Sequence, residues 1–218
     1  MFLINFKNYM EVSGGRAVEL ASAAASVRKR TGVNICVAPP MAAISEASRL
    51  EVPVFAQCAD LKDIGSTTGY AVPELLSSYG ARGSMVNHSE HRIPPEEIKG
   101  LVARLRGAGM VSVVCVRDVA ETSIYAALHP DYIAIEPPEL IGSAKAVSKE
   151  RPELISEAAE AVKSAGSKTK LLCGAGITTA EDVAKALELG ATGVLVASGV
   201  VKAKDWEAAI LALAAPMA

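Results

Sequence analysis

The sequence predicts an α/β protein built as a single (β/α)8 barrel over residues 1–218. Short apolar, β-branched segments alternate with longer segments of helical period along the whole chain, which is typical of repeated βα units. Eight strand candidates can be counted. The chain length of 218 residues also suits one such barrel, which needs about 200 residues or more.

The predicted strands are short runs rich in Val, Ile and Leu, bounded by polar or glycine-containing segments. They are Phe2–Phe6, Ile35–Ala38, Val54–Gln57, Gly83–Asn87, Val111–Val116, Tyr132–Ile135, Lys170–Cys173 and Gly193–Val196. Repeated βα units also form open, doubly wound sheets, and periodicity alone does not distinguish the two. The strand count and the total length favour the barrel.

The helical period predicts helices between these strands, several with recognisable ends. They include Gly15–Lys29, Pro95–Ala108, Val119–Leu128, Glu153–Ser164, Ala180–Leu189 and Asp205–Ala214. Thr178 and Glu181 have the spacing of a capping box. Pro95 suits the first turn of its helix, and Gly190 suits a left-handed helix end.

Composition and charge exclude several classes of protein. The formal net charge is −2 and the pI is near 6.0, so no general field attracts nucleic acid or anionic lipid. The N-terminus lacks the features of a signal peptide, and no apolar stretch approaches the ~20 residues that span a bilayer. The four cysteines include no C-x-x-C pair and are expected to be reduced core thiols. We expect a cytoplasmic protein with no nucleic-acid or membrane partner.

Functional side chains of parallel barrels lie where strands end and loops begin. The polar or small residues at these positions are Asn5 and Lys7, Gln57, Asn87–Glu90, Arg117–Asp118, Glu136, Gly174–Gly176 and Ala197–Gly199. An ammonium, an imidazole and a carboxylate are thus predicted at one rim, beside turns of small residues with free backbone N–H groups. Turns such as Gly174–Gly176 bind phosphate when they lead into a helix. The set suits a small phosphorylated substrate.

Three of these side chains have properties that an isomerisation by proton transfer needs. Glu136 follows an apolar run and precedes two prolines, which suits a general base. His88 can act as an electrophile and Lys7 can supply a fixed positive charge to a developing oxyanion. Taken separately, Glu136 could equally be a capping or surface residue and Lys7 a surface ion-pair partner. Their joint position at strand ends predicts a catalytic set.

Three motifs, in order along the chain, resemble those of the triosephosphate isomerases, in particular the short archaeal type. Asn5-Phe6-Lys7 resembles the family's N-x-K motif, and residues 87–92 (Asn-His-Ser-Glu-His-Arg) are similar to its H-S-E-R/H-R motif. Residues 134–137 (Ala-Ile-Glu-Pro), followed by Ile141-Gly142-Ser143, resemble its catalytic Glu and mobile lid. The resemblance covers essentially the whole chain and implies the TIM-barrel fold.

The resemblance also implies an activity and a set of residue roles. The activity is interconversion of dihydroxyacetone phosphate and D-glyceraldehyde 3-phosphate without a metal or organic cofactor. Glu136 would be the proton acceptor, His88 the neutral electrophile, Lys7 and Asn5 the substrate-positioning pair, and Glu90 a supporting carboxylate.

Phosphate contacts are implied in the same way, from backbone N–H groups of Ile141, Gly142, Gly176, Ala197 and Ser198. Closure of the lid, residues 137–145, would exclude water. The sequence departs from the longer members of the family here: Glu139 replaces a Trp and Ala144 a Gly of the lid, and Gly174-Ala175-Gly176 replaces a G-G-S turn.

The Gly-, Ser- and Thr-rich segment 59–70 is similar to the family's dimerisation loop. Thr68 is the expected equivalent of the threonine that reaches into the partner's active site. The resemblance thus implies a homodimer, with a tetramer as a further assembly of some short archaeal members.

Two other functions remain open from the residues. In a Schiff-base aldolase barrel, Lys7 would attack a phosphorylated ketone. A barrel that only binds sugar phosphates would retain the phosphate site without turnover.

Overall fold

The computed structural model describes residues 1–140, 146–166 and 168–218, and within them eight parallel strands form one sheet. They are β1 (Phe2–Asn5), β2 (Ile35–Ala38), β3 (Phe55–Ala56), β4 (Gly83–Val86), β5 (Val111–Val116), β6 (Tyr132–Ile135), β7 (Lys170–Cys173) and β8 (Gly193–Val196). The predicted bounds of β2 and of β5 to β8 are confirmed. The predicted β1 and β4 are each one residue too long, and β3 is limited to two residues.

The strands pair in the order β2-β1-β8-β7-β6-β5-β4-β3, which curls the sheet into a barrel. β1 lies at the junction of the two ends of the chain, since Phe2 pairs with Ile35 on one side and with Val194 on the other. The remaining gap between β2 and β3 is joined by a parallel bridge from Val37 to Val54. All strands run the same way, so their C-terminal ends form one rim.

The helices alternate with the strands. The α-helices of the described residues are α1 (Arg16–Thr31), α2 (Ile44–Ala47), α3 (Pro73–Ser78), α4 (Pro95–Gly107), α5 (Val119–Ala126), α6 (Val147–Glu150), α7 (Pro152–Ser164), α8 (Ala180–Glu188), α9 (Ser198–Val201) and α10 (Trp206–Ala214), with 3-10 helices at Met10–Val12, Met41–Ala43, Pro138–Leu140 and Ala215–Met217. Each predicted helix is present, and each of its ends lies within two residues of the predicted one. Among the described helices, none has both the length and the apolarity needed to cross a bilayer.

The predicted capping box at the start of α8 is displaced by one residue. Thr179, not Thr178, is the N-cap, and its hydroxyl accepts the Asp182 N–H at 3.2 Å while the Asp182 carboxylate accepts the Thr179 N–H at 2.9 Å. Both pairs, Thr178 with Glu181 and Thr179 with Asp182, have the spacing of a capping box. The second pair forms it, because Asp182 is buried whereas Glu181 is exposed to solvent.

Two apolar clusters follow the alternation of side chains along the strands. The smaller cluster takes one set of alternate residues, including Leu3, Met85, Val113, Leu172 and Leu195, and fills the barrel. The larger cluster takes the other set and packs it against the helices. With few aromatic residues available, aliphatic side chains form most of both layers, as is typical of this architecture.

Leu172→Ala is expected to lower the free energy of unfolding by about 2–5 kcal/mol, because it leaves a cavity inside the barrel. Leu172 is fully buried there. The matched control is Leu211→Ala on α10, where the side chain is 40% exposed and the cost should stay near 0.5 kcal/mol. Urea unfolding followed by circular dichroism measures both. Equal losses in the two variants would contradict the assignment of Leu172 to the interior.

Candidate active site

Backbone strain collects at the rim formed by the C-terminal ends of the strands. Lys7, Asn87 and Ala175 have positive φ angles of 49°, 63° and 64°, and each lies one or two residues beyond the end of β1, β4 or β7. Each such conformation costs a non-glycine residue on the order of 1–3 kcal/mol and persists only where the surroundings enforce it. The strain marks this rim as a candidate site.

Lys7 is held in place from three sides. Its backbone N–H donates to Asn5 Oδ1 at 2.9 Å, and its carbonyl accepts from Gln57 Nε2 at 3.0 Å. Its ammonium lies 2.7 Å from Glu90 Oε1. The Lys7 side chain is only 13% exposed, so the positive charge is fixed at the edge of the barrel mouth.

Asn87 shapes the turn that presents the histidine. Its Nδ2 donates to the Cys115 carbonyl at 3.1 Å, and its Oδ1 accepts from the Ile93 N–H at 3.2 Å. These two hydrogen bonds link the turn at residues 87–93 to β5 through Cys115, and link its first residue to its last. His88, the next residue, is consequently buried with its ring inside the barrel mouth.

The hydrogen bonds of His88 define its tautomer. Nδ1 accepts from the Glu90 backbone N–H at 3.2 Å, so in the neutral ring the proton resides on Nε2. Nε2 faces the Glu136 carboxylate, 3.4 Å from Oε2. The imidazole thus offers a donor to any oxygen that binds between these two groups.

Glu136 lies directly after β6 and its carboxylate is buried among apolar groups and thiols. Burial is the main cause that raises the pKa of the Cys115 thiol, and the negative charge of Glu136 raises it further. Oε2 of Glu136 has no hydrogen-bond partner among the described residues. A buried carboxylate oxygen without a donor is costly, and it is available to accept a proton.

Gly174 provides the space that Glu136 occupies. A Cβ atom at Gly174 would lie 2.4 Å from Glu136 Cγ, closer than real contacts allow. Glycine is therefore required at position 174, because the Glu136 side chain packs directly against its Cα.

The opposite wall of the cavity consists of backbone. Gly176, Ala197 and Ser198 line it, and in the described part of the chain their N–H groups donate to no protein acceptor. Free N–H groups that converge on one space suit an anion such as a phosphate. One cavity thus joins a carboxylate and an imidazole to an anion-binding wall.

The comparisons with known proteins agree with this geometry. Residues 1–213 match the family model described as triosephosphate isomerase. The chain is 56% identical over 217 residues to the triosephosphate isomerase of Cenarchaeum symbiosum, covering 100% of this chain and 97% of that protein. It is 47% identical over 209 residues to the triosephosphate isomerase of Archaeoglobus fulgidus, covering 95% and 94%.

The chain belongs to the triosephosphate isomerase family. The resemblance to the short archaeal members is thereby confirmed, and so is the prediction of an isomerase acting on triose phosphates. A solved triosephosphate isomerase from Bartonella henselae matches the fold with a TM-score of 0.78 over 99% of this chain and 98% of that one, at 19% identity. The predicted (β/α)8 barrel is confirmed.

Most residues predicted for a triosephosphate isomerase site come together. Asn5, Lys7, His88, Glu136, Gly176, Ala197 and Ser198 all line one cavity. Glu90 lines the neighbouring recess through its contact with Lys7. The predicted phosphate contacts at Ile141 and Gly142 lie outside the described residues.

Sequence reasoning missed three residues of the cavity wall that lie outside the predicted strands and strand-end turns. They are Tyr9, Ile177 and Thr178. Tyr9 has a detectable signal, since it follows the N-x-K motif by two residues, and its ring packs under the Lys202 ammonium at 4.7 Å. The spacing of Thr178 predicts a helix cap, a role that Thr179 takes.

Gly174→Ala is expected to lower kcat of the isomerase reaction by roughly 100-fold, since the added methyl group must displace Glu136 by an ångström or more. Gly107→Ala is the matched control, because a Cβ there meets nothing within 4 Å. Steady-state kinetics of both variants measure the effect. Full turnover in Gly174→Ala would contradict the described position of Glu136.

Proposed function

We propose that this chain interconverts dihydroxyacetone phosphate and D-glyceraldehyde 3-phosphate through an enediolate, with Glu136 as the base and His88 as the electrophile. One observation carries the proposal: among the described residues, Glu136 Oε2 is buried without a hydrogen bond, 3.4 Å from His88 Nε2, in a cavity lined by backbone N–H groups that donate to no protein acceptor. The family membership of the chain supports the same reaction.

The proposed reaction transfers protons between the substrate and the protein and needs no other reactant. Glu136 accepts the proton from the hydroxymethyl carbon of dihydroxyacetone phosphate. The electron pair of that C–H bond forms the carbon–carbon double bond of the enediolate, and the π pair of the carbonyl group moves to its oxygen. His88 donates a hydrogen bond from Nε2 to that oxygen as negative charge develops. Protons then shift between the two oxygens, and Glu136 returns its proton to the neighbouring carbon.

Lys7 and Asn5 act on the substrate by position and charge. The Lys7 ammonium is paired with Glu90 at 2.7 Å, which holds it at the cavity wall. Asn5 is buried and its Oδ1 holds the Lys7 backbone, so the two residues form one support. The N–H groups of Gly176, Ala197 and Ser198 would receive the phosphate.

Glu136→Asp is expected to lower turnover by roughly 100-fold or more, because the shorter side chain withdraws the carboxylate by about 1 Å. His88→Ala should lower kcat by a factor on the order of 100, since the developing oxyanion loses its donor. A coupled assay that supplies glyceraldehyde 3-phosphate and follows dihydroxyacetone phosphate through NADH oxidation measures both.

Two controls accompany this assay. His129→Ala changes a histidine in the loop before β6, at the end of the barrel opposite the candidate site, and should retain full activity. An inactive but folded parent chain would contradict the proposed reaction, and unchanged turnover in Glu136→Asp would remove Glu136 from the mechanism.

We also propose a homodimer formed through the segment 59–70. This segment has exposed apolar side chains, with Ile64 59% and Tyr70 47% exposed, and Thr68 lies beside them on the same surface loop. Such a patch on a long loop is typical of an interface. A tetramer would be a further assembly of this unit.

Ile64→Asp is expected to shift the chain towards the monomer, because a charge would be buried in the proposed interface. Light scattering after size exclusion measures the mass of each species. Met41→Asp, at an exposed apolar side chain outside this segment, serves as the control. A parent chain that runs as a monomer at working concentration would contradict the dimer.

Residues 1–218 are proposed to act as one catalytic unit in the cytoplasm. The pairing of β1 with β8 supports the single unit, since both ends of the chain contribute adjacent strands. The four cysteines are free thiols, which agrees with a reducing compartment.

A further inference from the structure

We propose that the ion pair between Lys149 and Asp182 positions the phosphate-binding loop, residues 174–179, and thereby determines the affinity of the site for the phosphate group. The inference rests on the proposed function, because it concerns the same cavity. Neither residue lines that cavity, so both are positioning residues rather than catalytic ones.

Asp182 organises the end of the loop. Its Oδ2 accepts the N–H groups of Thr178 and Thr179 at 3.0 and 2.9 Å, and the Thr178 hydroxyl at 3.3 Å. Thr178 is part of the cavity wall. One carboxylate oxygen therefore orients the backbone of two consecutive loop residues, one of which faces the cavity.

Lys149 forms an ion pair with the other oxygen of the same carboxylate. Its ammonium lies 2.8 Å from Asp182 Oδ1, an atom that accepts no hydrogen bond in the described part of the chain, and 3.7 Å from Glu181 Oε2. Asp182 is 2% exposed, so its charge depends on this partner. The Lys149 side chain itself is half exposed and reaches inward from the surface.

The electrostatic balance keeps Asp182 ionised. Burial acts to raise the pKa of its carboxyl, but the Lys149 ammonium and the N–H groups of Thr178 and Thr179 outweigh it and lower the pKa to about 2. The carboxyl contact in turn raises the pKa of Lys149. Both partners are charged at any pH at which the isomerase would be assayed.

A second contact links the same two segments. Lys149 belongs to α6, whose first residue, Val147, donates its backbone N–H to the Ala175 carbonyl at 3.3 Å. Ala175, with its positive φ of 64°, lies near the start of the loop. The short helix α6 thus contacts the start of the phosphate-binding loop through its backbone and reaches the end of the loop through the Lys149–Asp182 ion pair.

Lys149→Met tests the proposal, because it removes the charge while keeping a similar length of side chain. Lys149→Arg is the conservative variant that should restore the contact. Lys185→Met is the matched control: Lys185 also pairs with a carboxylate, Glu188 at 3.0 Å, on the same helix α8, but it does not touch the loop. Circular dichroism and thermal melting of each variant check that the fold is retained.

The readouts separate phosphate affinity from general damage. For Lys149→Met we expect the dissociation constant of inorganic phosphate, measured by calorimetry, and KM for glyceraldehyde 3-phosphate to rise roughly tenfold, because the N–H groups of the loop lose their alignment. Turnover of D-glyceraldehyde, which lacks the phosphate, should stay within twofold of the parent. Lys149→Arg and Lys185→Met should resemble the parent.

Three results would overturn the proposal. They are unchanged phosphate affinity in Lys149→Met, an equal loss with both substrates, and a parent chain that binds no inorganic phosphate. Calorimetry does not depend on turnover, so a parent that binds phosphate but does not isomerise would contradict the proposed function while leaving this test intact.

Discussion

The site depends on the closure of parallel strands into one ring. β1 pairs with β2 on one side and with β8 on the other, so the first strand of the chain joins the last. Because all strands run in the same direction, every residue that follows a strand emerges at the same rim. Lys7, His88 and Glu136 come from three separate strands and meet only because the ring is closed. The distances between these three side chains therefore depend on the whole barrel.

Two buried carboxylates illustrate opposite uses of the same group. Asp182 has one oxygen bonded to backbone N–H groups and the other beside an ammonium, and its pKa is lowered to about 2. Such a group is structural, since every favourable contact stabilises its charged form. Glu136 retains an oxygen without a hydrogen-bond donor among the described residues, facing His88. The unsatisfied oxygen costs stability and leaves a base ready for a substrate proton.

The backbone shows the same compromise between stability and function. Lys7, Asn87 and Ala175 hold unfavourable φ angles at the rim, and each is fixed by neighbouring hydrogen bonds or packing. The Asn5 and Gln57 side chains enforce the conformation of Lys7. The well-packed interior of the barrel below the rim supplies the rigidity that such strain requires. Precision at the rim thus depends on apolar packing deeper in the barrel.

The sequence by itself determined the order of strands and main helices and the residues at the strand ends, because both follow from short-range patterns of apolar and polar residues. It predicted Asn5, Lys7, His88 and Glu136 at the strand ends for that reason, and all four line one cavity. It did not reveal α2, α3, α6 and α9, which have only four to six residues and are too short to show a helical period. The frame of the capping box at Thr179, the need for Gly174 beneath Glu136 and the pairing of Lys149 with Asp182 were decided only by the tertiary structure. Each depends on burial or on contact between residues far apart in the chain, and those arise only when the barrel closes.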